Sequence, residues 1–240
     1  MTKTVLVTGA SRGLGLAICA RLLADGYAVV GVSRAKTEEF TALEQRFPGA
    51  ARFSVADLSD TASLPDIARD WAKELPGLYG LVNNAAVGLD GVLGTMHVSD
   101  IGRVLETNVL APIILTKYLS RAMLSRGTGR IVNISSIIAR TGFSGLSVYG
   151  ASKAAMEGFT RSLSRELGRR NITVNCVAPG YMETAMTSGL QGERLESIRR
   201  RAPLGLAAPD DVAGAVSYLM SDGAAKVTGA IMTVDGGSTA

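Results

Sequence analysis

The chain alternates short runs of hydrophobic residues with longer amphipathic stretches from one end to the other. The short runs predict strands at 4–8, 28–33, 51–55, 78–83, 129–135, 172–178 and 230–234. Apolar positions at helical spacing predict helices near 13–25, 36–47, 61–75, 99–126, 149–169 and 209–221. This order is typical of an α/β protein with a doubly wound parallel sheet of about seven strands and helices on both faces.

No repeat, linker or low-complexity tract interrupts this pattern, so residues 1–240 are expected to form a single domain. One stretch, 181–208, lacks clear periodicity and is predicted to be a lid over a substrate. A helical hairpin that covers the sheet edge is the alternative for this stretch. In a fold of this type ligands bind beyond the carboxyl ends of the strands, so the candidate site is expected there.

The composition, with 47% hydrophobic residues, is sufficient for a large core. Charges or glycines break every apolar stretch before the ~20 residues of a membrane span, and the amino end lacks the organisation of a signal peptide. We therefore expect no membrane association and a cytoplasmic location. Cys19 and Cys176 are expected to be small buried hydrophobes, and no metal site is predicted. The single histidine, His97, is expected in an exposed loop.

The net charge is +4, with basic residues concentrated in 121–130, 161–170 and 199–201. Most of these residues are expected to form ordinary solvated faces. They lack interleaved aromatic residues, so nucleic-acid binding is not predicted. A basic surface can, however, steer an anionic cofactor or an acidic partner protein.

A glycine-rich turn joins the first predicted strand to the first predicted helix. Glycine there permits tight backbone geometry and lets a pyrophosphate approach the helix amino terminus, where free N–H groups favour an anion. A tight connection without a ligand is the alternative, but the position in the first β-α unit favours phosphate. The residues of this turn predicted to contact a dinucleotide are Gly9, Ser11, Arg12, Gly13, Leu14 and Gly15.

Tyr149 and Lys153 are four residues apart on a predicted helix and therefore share one face. The ammonium of Lys153 can stabilise the phenolate of Tyr149, which would make the tyrosine an acid at neutral pH. Such pairs also occur on solvated helices without any function. The glycine-rich turn favours the catalytic interpretation.

Several further motifs follow in order: Asn83-Asn84-Ala85-Ala86, Ser136 thirteen residues before Tyr149, Pro179-Gly180 with Thr184, and the closing Asp235-Gly236-Gly237. With the turn Thr8–Gly15 and the Tyr149–Lys153 pair, they resemble the short-chain dehydrogenase/reductase family from about residue 3 to the carboxyl end, which implies a Rossmann-type fold. Ala86 departs from the pattern, because the family usually has glycine there.

The resemblance implies a catalytic tetrad of Asn108, Ser136, Tyr149 and Lys153. Ser136 would hydrogen-bond the substrate carbonyl oxygen and Tyr149 would protonate it. Lys153 would hold the nicotinamide ribose and lower the pKa of Tyr149, while Asn108 would anchor a water for proton relay. Ser136 could instead cap a strand end, with Ser135 as its competitor, and Asn108 could instead mark a helix kink.

The resemblance also implies which residues contact the cofactor beyond the first turn. Asp57 matches the acid that contacts adenine, and the 83–86 segment supports the sheet and the adenine ring. The implied set is Asp57, Leu58, Asn84, Ala85, Tyr149, Lys153, Pro179, Gly180 and Thr184.

The choice between NAD and NADP is indicated by the end of the second predicted strand. An acid there would bind the ribose hydroxyls of NAD, but the run is Gly31-Val32-Ser33-Arg34, with no acid. Arg34 and Arg12 offer positive charge and Ser33 a hydroxyl, so NADP(H) is predicted. An ordinary surface role is the alternative for Arg34.

Within the family the chain resembles 3-oxoacyl-[acyl-carrier-protein] reductases, which implies NADPH-dependent reduction of a 3-oxoacyl thioester in fatty-acid synthesis. The alternatives are a sugar, polyol, steroid or xenobiotic carbonyl, or a non-catalytic NADP-responsive scaffold. An acyl carrier protein would dock on a basic rim of the cleft, formed by Arg126, Arg130, Arg169 and Arg170 if folding brings them together.

The resemblance further implies a homotetramer paired through the helices near 99–126 and 149–169, with a dimer as the alternative. Apolar residues on these helices exceed what one inward stripe needs, which is typical of an interface. They are Val104, Leu105, Ile113, Leu115, Leu119, Met123, Met156, Phe159 and Leu163.

Overall fold

Seven strands form one sheet in the computed structural model, which describes residues 2–183 and 192–240. The strands are β1 Thr4–Thr8, β2 Ala28–Ser33, β3 Ala51–Val55, β4 Leu78–Asn83, β5 Gly129–Ile134, β6 Ile172–Pro179 and β7 Ile231–Val234. They pair in parallel in the order β3-β2-β1-β4-β5-β6-β7. The predicted doubly wound α/β fold is confirmed, and six of the seven predicted strands begin at the observed residue.

Helices connect the strands and cover both faces of the sheet. They are α1 Gly13–Ala24, α2 Glu38–Arg46, α3 Leu64–Glu74, α4 Val98–Leu105, α5 Ala111–Arg126, α6 Ile138–Thr141, α7 Ser147–Leu167, α8 Glu193–Arg201 and α9 Pro209–Met220. A π-helical segment, Glu106–Leu110, joins α4 to α5, and 3₁₀ turns lie at Leu93–Thr95, Gly168–Arg170 and Asp222–Ala224. The stretch predicted as an irregular lid contains α8, and residues 184–191 of that stretch lie outside the described part of the chain.

The core consists of two hydrophobic layers, one on each face of the sheet. Val5 and Val7 point to the face covered by α1 and α9, while Leu6 points to the face covered by α3 and α5. This division follows from the two-residue period of a strand. Both faces of the five inner strands are buried, which explains why these strands read as mostly apolar runs in the sequence.

A crevice at the carboxyl edge of the sheet, where the strands end, is fixed by the strand order. From β1 the chain adds strands first on one side, β2 and β3, and then on the other, beginning with β4. Connections therefore diverge between β1 and β4, which leaves an opening at their carboxyl ends. Gly9 follows β1, Asn83 ends β4, Ser136 lies two residues beyond β5 and Pro179 ends β6. The predicted site residues thus meet at one edge.

The basic rim predicted from four arginines is wrong for the cleft of this chain. Arg130 is the second residue of β5, whereas Ser136 lies beyond its far end, roughly 20 Å away at ~3.3 Å per residue. Gly129 pairs with Ile172, so Arg169 and Arg170 reach the same amino edge. Arg130 is also buried, with its guanidinium carbon 5.5 Å from the centre of the Tyr79 ring. These arginines are close in sequence to the predicted catalytic residues, but they lie at the opposite edge of the sheet from the cleft.

Many of the apolar residues assigned to an intersubunit face belong to the chain's own core. Val104, Leu115, Leu119, Met123 and Met156 are all buried. The reason is that α5 packs against α3 as well as against β4 and β5, so it needs more than one inward stripe. The remaining four are Leu105, which is 41% exposed, and the half-buried Ile113, Phe159 and Leu163.

Both cysteines are buried, and burial raises the pKa of the Cys176 thiol to about 12. His97 is exposed immediately before α4. Across the described residues, no helix has the length and apolar character needed to span a membrane. No group of three or more metal-ligating side chains occurs in that same part of the chain.

Candidate active site

The glycine-rich turn after β1 owes its path to three glycines. Gly9 and Gly13 have φ of +69° and +54°, in the left-handed region that favours glycine. A Cβ on Gly15 would lie 2.0 Å from the carbonyl oxygen of Gly9, and one on Gly9 would lie 2.9 Å from Asn84 Nδ2. Substitution at Gly9 or Gly15 would therefore displace the backbone of the turn.

The amino terminus of α1 is left open by this turn. The residue before the helix, Arg12, is extended, no side chain among the described residues caps the helix, and its first turn contains no acid. The first N–H groups of a helix lack partners within the helix and carry the positive end of its dipole. An uncapped terminus behind a glycine turn, at the crevice between β1 and β4, fits the pyrophosphate of a dinucleotide.

Thr8 and Asn84 hold the turn against the end of β4. The Thr8 hydroxyl accepts hydrogen bonds from the backbone N–H groups of Asn84 and Ala85, both at 3.0 Å. Asn84 Nδ2 donates to the carbonyl oxygens of Thr8 at 2.8 Å and Gly9 at 3.3 Å. Asn84 and Ala85 therefore shape the floor of the crevice, with Ala86 half-buried beside them.

The ends of β2 and β3 form the next part of the crevice. The Ser33 hydroxyl accepts a hydrogen bond from the Ser11 N–H at 3.3 Å, which ties β2 to the glycine turn. Asp57 accepts bonds from the Ser59 hydroxyl at 2.7 Å and the Ser59 N–H at 3.0 Å, and these bonds lower the pKa of its carboxyl group. Leu58, the residue between Asp57 and Ser59, is buried.

Arg12, just before α1, and Arg34, just after β2, place positive charge beside the glycine-rich turn. Both side chains are exposed, and neither forms an ion pair with any residue that the structure describes. Arg34 is close enough to Asp57 to contribute to the lowering of that carboxyl pKa. Two unpaired guanidinium groups favour an additional anionic group on a ligand.

Ser136 and Tyr149 are brought together by the β5–α7 connection. Ser136 follows β5 and is 9% exposed, and Tyr149 lies in the first turn of α7. Burial raises the pKa of the Tyr149 phenol, and its interaction with the Ser136 hydroxyl lowers it by less. The expected net lowering of this pKa is therefore not found in the protein chain itself, because desolvation dominates.

Lys153 is buried one helical turn beyond Tyr149. Its Nζ donates to the Ile134 carbonyl oxygen at 2.8 Å and lies 5.6 Å from the centre of the Tyr149 ring. Burial lowers the pKa of its ammonium to about 8. As predicted, Tyr149 and Lys153 lie on the same face of α7, and this face is turned toward the carboxyl end of β5.

Asn108 lies in the π-helical segment between α4 and α5. Its Oδ1 accepts from the Val87 N–H at 2.8 Å, and its Nδ2 donates to the Val87 carbonyl at 2.9 Å and to the Ser152 hydroxyl at 3.1 Å. The side chain thus ties the loop after β4 to α7, next to Lys153. π-Helical turns often occur at functional sites. The proton relay through Asn108 stays a prediction.

Ser152 and Ser135 were not among the predicted site residues. Ser152 is fully buried and bonds both Asn108 and the Tyr149 carbonyl, the latter at 2.7 Å. The Ser135 hydroxyl donates to the Lys153 carbonyl at 3.1 Å. Each precedes a predicted site residue in the sequence, Ser152 before Lys153 and Ser135 before Ser136. That position alone does not show which way a serine side chain points, so neither could be assigned to the site.

Pro179 and Gly180 complete the carboxyl edge. The Pro179 carbonyl accepts from the Ile137 N–H at 3.0 Å, and the Gly180 N–H donates to the Val234 carbonyl at 2.9 Å. A Cβ on Gly180 would lie 2.7 Å from Asp235 Cβ, so the closing Asp235-Gly236-Gly237 segment packs directly on this turn. Thr184 lies outside the described residues.

A cavity of about 850 Å³ opens between the residues after α6 and helix α8. Phe143 and Ser144, which follow α6, line one side. The polar helix α8 lines the other side with Glu193, Glu196, Ser197, Ile198, Arg200 and Arg201. Because α8 lies in the stretch predicted to cover a substrate, this cavity is a candidate entrance for one.

Comparison with known proteins gives relatives over nearly the whole chain. A family model described as enoyl-(acyl carrier protein) reductase matches residues 9–239. Nodulation protein G of a Rhizobium species is 41% identical over 98% of this chain and 96% of its own. The 3-oxoacyl-[acyl-carrier-protein] reductase FabG of Escherichia coli is 36% identical, with the same coverage of both chains.

A solved structure with a similar fold comes from a protein of different substrate class. The gluconate 5-dehydrogenase of Burkholderia cenocepacia, in complex with NADP and tartrate, superimposes with a TM-score of 0.92 at 28% identity. The match covers 99% of this chain and 95% of that one. These proteins share the fold of this chain, but their names refer to several different substrates.

Proposed function

The chain belongs to the short-chain dehydrogenase/reductase family of NAD(P)-dependent oxidoreductases, and we propose that it uses NADPH to reduce the carbonyl of a 3-oxoacyl thioester to a hydroxyl. One observation carries the proposal: Ser136, Tyr149 and Lys153 lie together at the carboxyl edge, beside an open helix terminus suited to a dinucleotide. NADP-bound relatives and the unpaired Arg12 and Arg34 support the choice of cofactor.

The residues present fit the cofactor, as the glycine turn and the open terminus of α1 indicate. When bound, reduced nicotinamide supplies a hydride. Gly9, Gly13 and Gly15 would hold the pyrophosphate, Arg12 and Arg34 the adenosine phosphate, and Lys153 the nicotinamide ribose, with Asp57 and Leu58 at the adenine. Ser33, Asn84, Ala85, Pro179, Gly180 and Thr184 complete the proposed cofactor site.

The chemistry of the chain's own residues follows from their protonation states. Ser136 donates a hydrogen bond to the substrate oxygen, where negative charge develops as the carbonyl is reduced. Tyr149 then gives its proton to that oxygen. Because burial raises the phenol pKa, Tyr149 holds its proton at neutral pH, which favours its role as an acid in the direction of reduction. Lys153 would stabilise the phenolate that remains.

The thioester is the first choice of substrate because the FabG relatives match almost from end to end. A sugar acid ketone is the second candidate, and the structural similarity to a gluconate 5-dehydrogenase supports it. The same tetrad can serve either substrate, since the stretch predicted as a lid, which contains α8, and not the tetrad would set specificity.

A substrate panel tests this choice by following NADPH oxidation. The panel contains an acetoacetyl thioester, its 2-enoyl counterpart, 5-ketogluconate and a steroid ketone. We expect the highest kcat/KM with the acetoacetyl thioester. Turnover of 5-ketogluconate with none of either thioester would replace the first candidate by the second, and turnover of the enoyl thioester alone would contradict carbonyl reduction.

Replacing Arg34 by aspartate is expected to reverse the cofactor preference. The substitution removes a cation and places a carboxylate where a 2′-phosphate would bind, so kcat/KM with NADPH should fall about 100-fold while that with NADH rises. Arg52→Asp is the matched control, since Arg52 is exposed near the amino edge of the adjoining strand β3. Equal kcat/KM values with NADPH and NADH in the wild-type enzyme would contradict the predicted preference for NADP(H).

We also propose a homotetramer paired through α4, α5 and α7, on the basis of apolar side chains that the core leaves partly exposed on these helices, among them Leu105, Ile113, Phe159 and Leu163. Light scattering at micromolar concentration should give about four times the chain mass of 24.9 kDa. A mass of one chain would overturn this assembly, and a mass of two would favour the dimer. Docking of an acyl carrier protein and a cytoplasmic location stay predictions.

A further inference from the structure

A buried carboxylate lies behind the catalytic residues. Glu157 is on α7, one turn beyond Lys153, and its side chain is 6% exposed. A carboxylate removed from water is destabilising unless hydrogen bonds and opposite charges compensate it. The role so far described for α7, which is to carry Tyr149 and Lys153, does not use this group.

The Glu157 side chain contacts both flanks of the Ser136 segment. Its Oε1 lies 3.3 Å from the Ser135 hydroxyl, which shares its one proton between this oxygen and the Lys153 carbonyl, and its Oε2 lies 3.4 Å from Arg140 Nε. Arg140 belongs to α6, which begins two residues after Ser136. A second arginine, Arg161, lies 3.7 Å from Oε2 but belongs to α7 itself.

The contacts of Glu157 hold the Ser136 segment to α7, whereas the backbone hydrogen bonds of the segment hold it to β6. The N–H groups of Ser135 and Ile137 donate to the carbonyls of Val177 and Pro179, which fixes the segment to β6. Tyr149 and Lys153, however, lie on α7 and not on β6. Contacts between α7 and the residues on either side of Ser136 therefore determine how its hydroxyl lies relative to the phenol.

We propose that Glu157 is a positioning residue that clamps the Ser136 segment to α7 through Ser135 and Arg140; the inference rests on the proposed role of Ser136 in carbonyl reduction. Loss of the clamp leaves binding of the dinucleotide intact and allows the Ser136 hydroxyl to move away from the substrate oxygen. Small displacements of a catalytic group have large effects on rate.

The test compares Glu157→Gln with Glu166→Gln, an exposed glutamate on the same helix. Glutamine at 157 keeps an acceptor for Ser135 and removes the charge that pairs with Arg140. We expect kcat to fall at least about tenfold with an unchanged Kd for NADPH, and no change for the control. Arg140→Met should reproduce the loss, while Arg161→Met should not, because Arg161 pairs with Glu157 from the same helix.

A double-mutant cycle separates positioning from a general loss of stability. In a Ser136→Ala background, Glu157→Gln should lower kcat less than about twofold further, since the group it positions is gone. An equal loss in both backgrounds, or a wild-type kcat in Glu157→Gln, would overturn the clamp. If Glu157→Gln does not fold, Arg140→Met replaces it in the same cycle. The Arg140 side chain is half exposed, so its substitution disturbs the core less than a change at Glu157.

Hydrogen exchange provides a readout that does not depend on any substrate. Faster exchange confined to residues 135–141 is expected in Glu157→Gln, with that of α9 unchanged. Unchanged exchange over 135–141 would contradict the clamp even if the enzyme were inactive. Failure of the proposed function appears separately, as absence of carbonyl reduction by the wild-type enzyme.

Discussion

Replacing Tyr149 by phenylalanine should lower kcat by about three orders of magnitude while leaving the Kd for NADPH nearly unchanged. The substitution removes the proton donor and keeps the ring that packs in the first turn of α7. Stopped-flow turnover and fluorescence titration with NADPH measure the two quantities. Tyr218→Phe is the control, because Tyr218 is 44% exposed on α9, away from the crevice. An active Tyr149→Phe enzyme would contradict the assigned proton donor.

Replacing Lys153 by alanine should damage both turnover and cofactor binding. The ammonium would stabilise the phenolate and hold the nicotinamide ribose, so kcat should fall about 100-fold and the Kd for NADPH should rise about tenfold. Lys226→Ala, at an exposed position after α9, provides the matched loss of a lysine. A normal Kd with a lowered kcat would remove the role at the ribose.

The protonation of Lys153 should also be visible in the pH profile. Burial lowers the pKa of this ammonium from 10.5 to about 8, so the charged form is lost as the pH rises through that value. We therefore expect kcat/KM for NADPH to decline above pH ~8, since this parameter reports groups of the enzyme without bound cofactor. The Tyr149 phenol, with its raised pKa, titrates at higher pH. A profile that stays flat to pH 10 would contradict the requirement for the ammonium.

The five inner strands of the sheet were predictable because they are buried on both faces and therefore stand out as apolar runs. Helix α8 was not, since Glu193–Arg201 is almost entirely polar and is stabilised by pairs such as Arg199–Glu196 at 2.9 Å. Periodicity of apolar residues cannot detect a helix of this kind. The short helix α6 is similarly too brief to give a periodic signal.

Within the site, Tyr149 and Lys153 were predictable because their spacing alone places them on one helical face. The π-helical segment around Asn108 was not, because it accompanies bonds to Val87, which is distant in sequence. The direction of the Tyr149 pKa shift was also missed, because burial depends on the packed fold. Glu157 gave no signal, since its partners Ser135 and Arg140 approach it only in three dimensions.

The error about the arginine rim has a simple geometric cause. Arg130 and Ser136 are close in sequence, but β5 separates them, and a strand carries its two ends to opposite edges of the sheet. A similar lesson applies to α5, whose apolar residues face both the sheet and α3. Surfaces depend on the position of each element in the fold, which local sequence patterns do not describe.

The central claim is that this crevice reduces a carbonyl with a hydride from NADPH and a proton from Tyr149. Mass spectrometry of the product formed with NADPH deuterated at the transferring position of the nicotinamide ring tests it most directly. With the acetoacetyl thioester, the wild-type enzyme should give a 3-hydroxyacyl product with one deuterium on the carbinol carbon, and Tyr149→Phe should give almost none. A hydroxyl product without deuterium, or equal labelled product from both enzymes, would contradict the account.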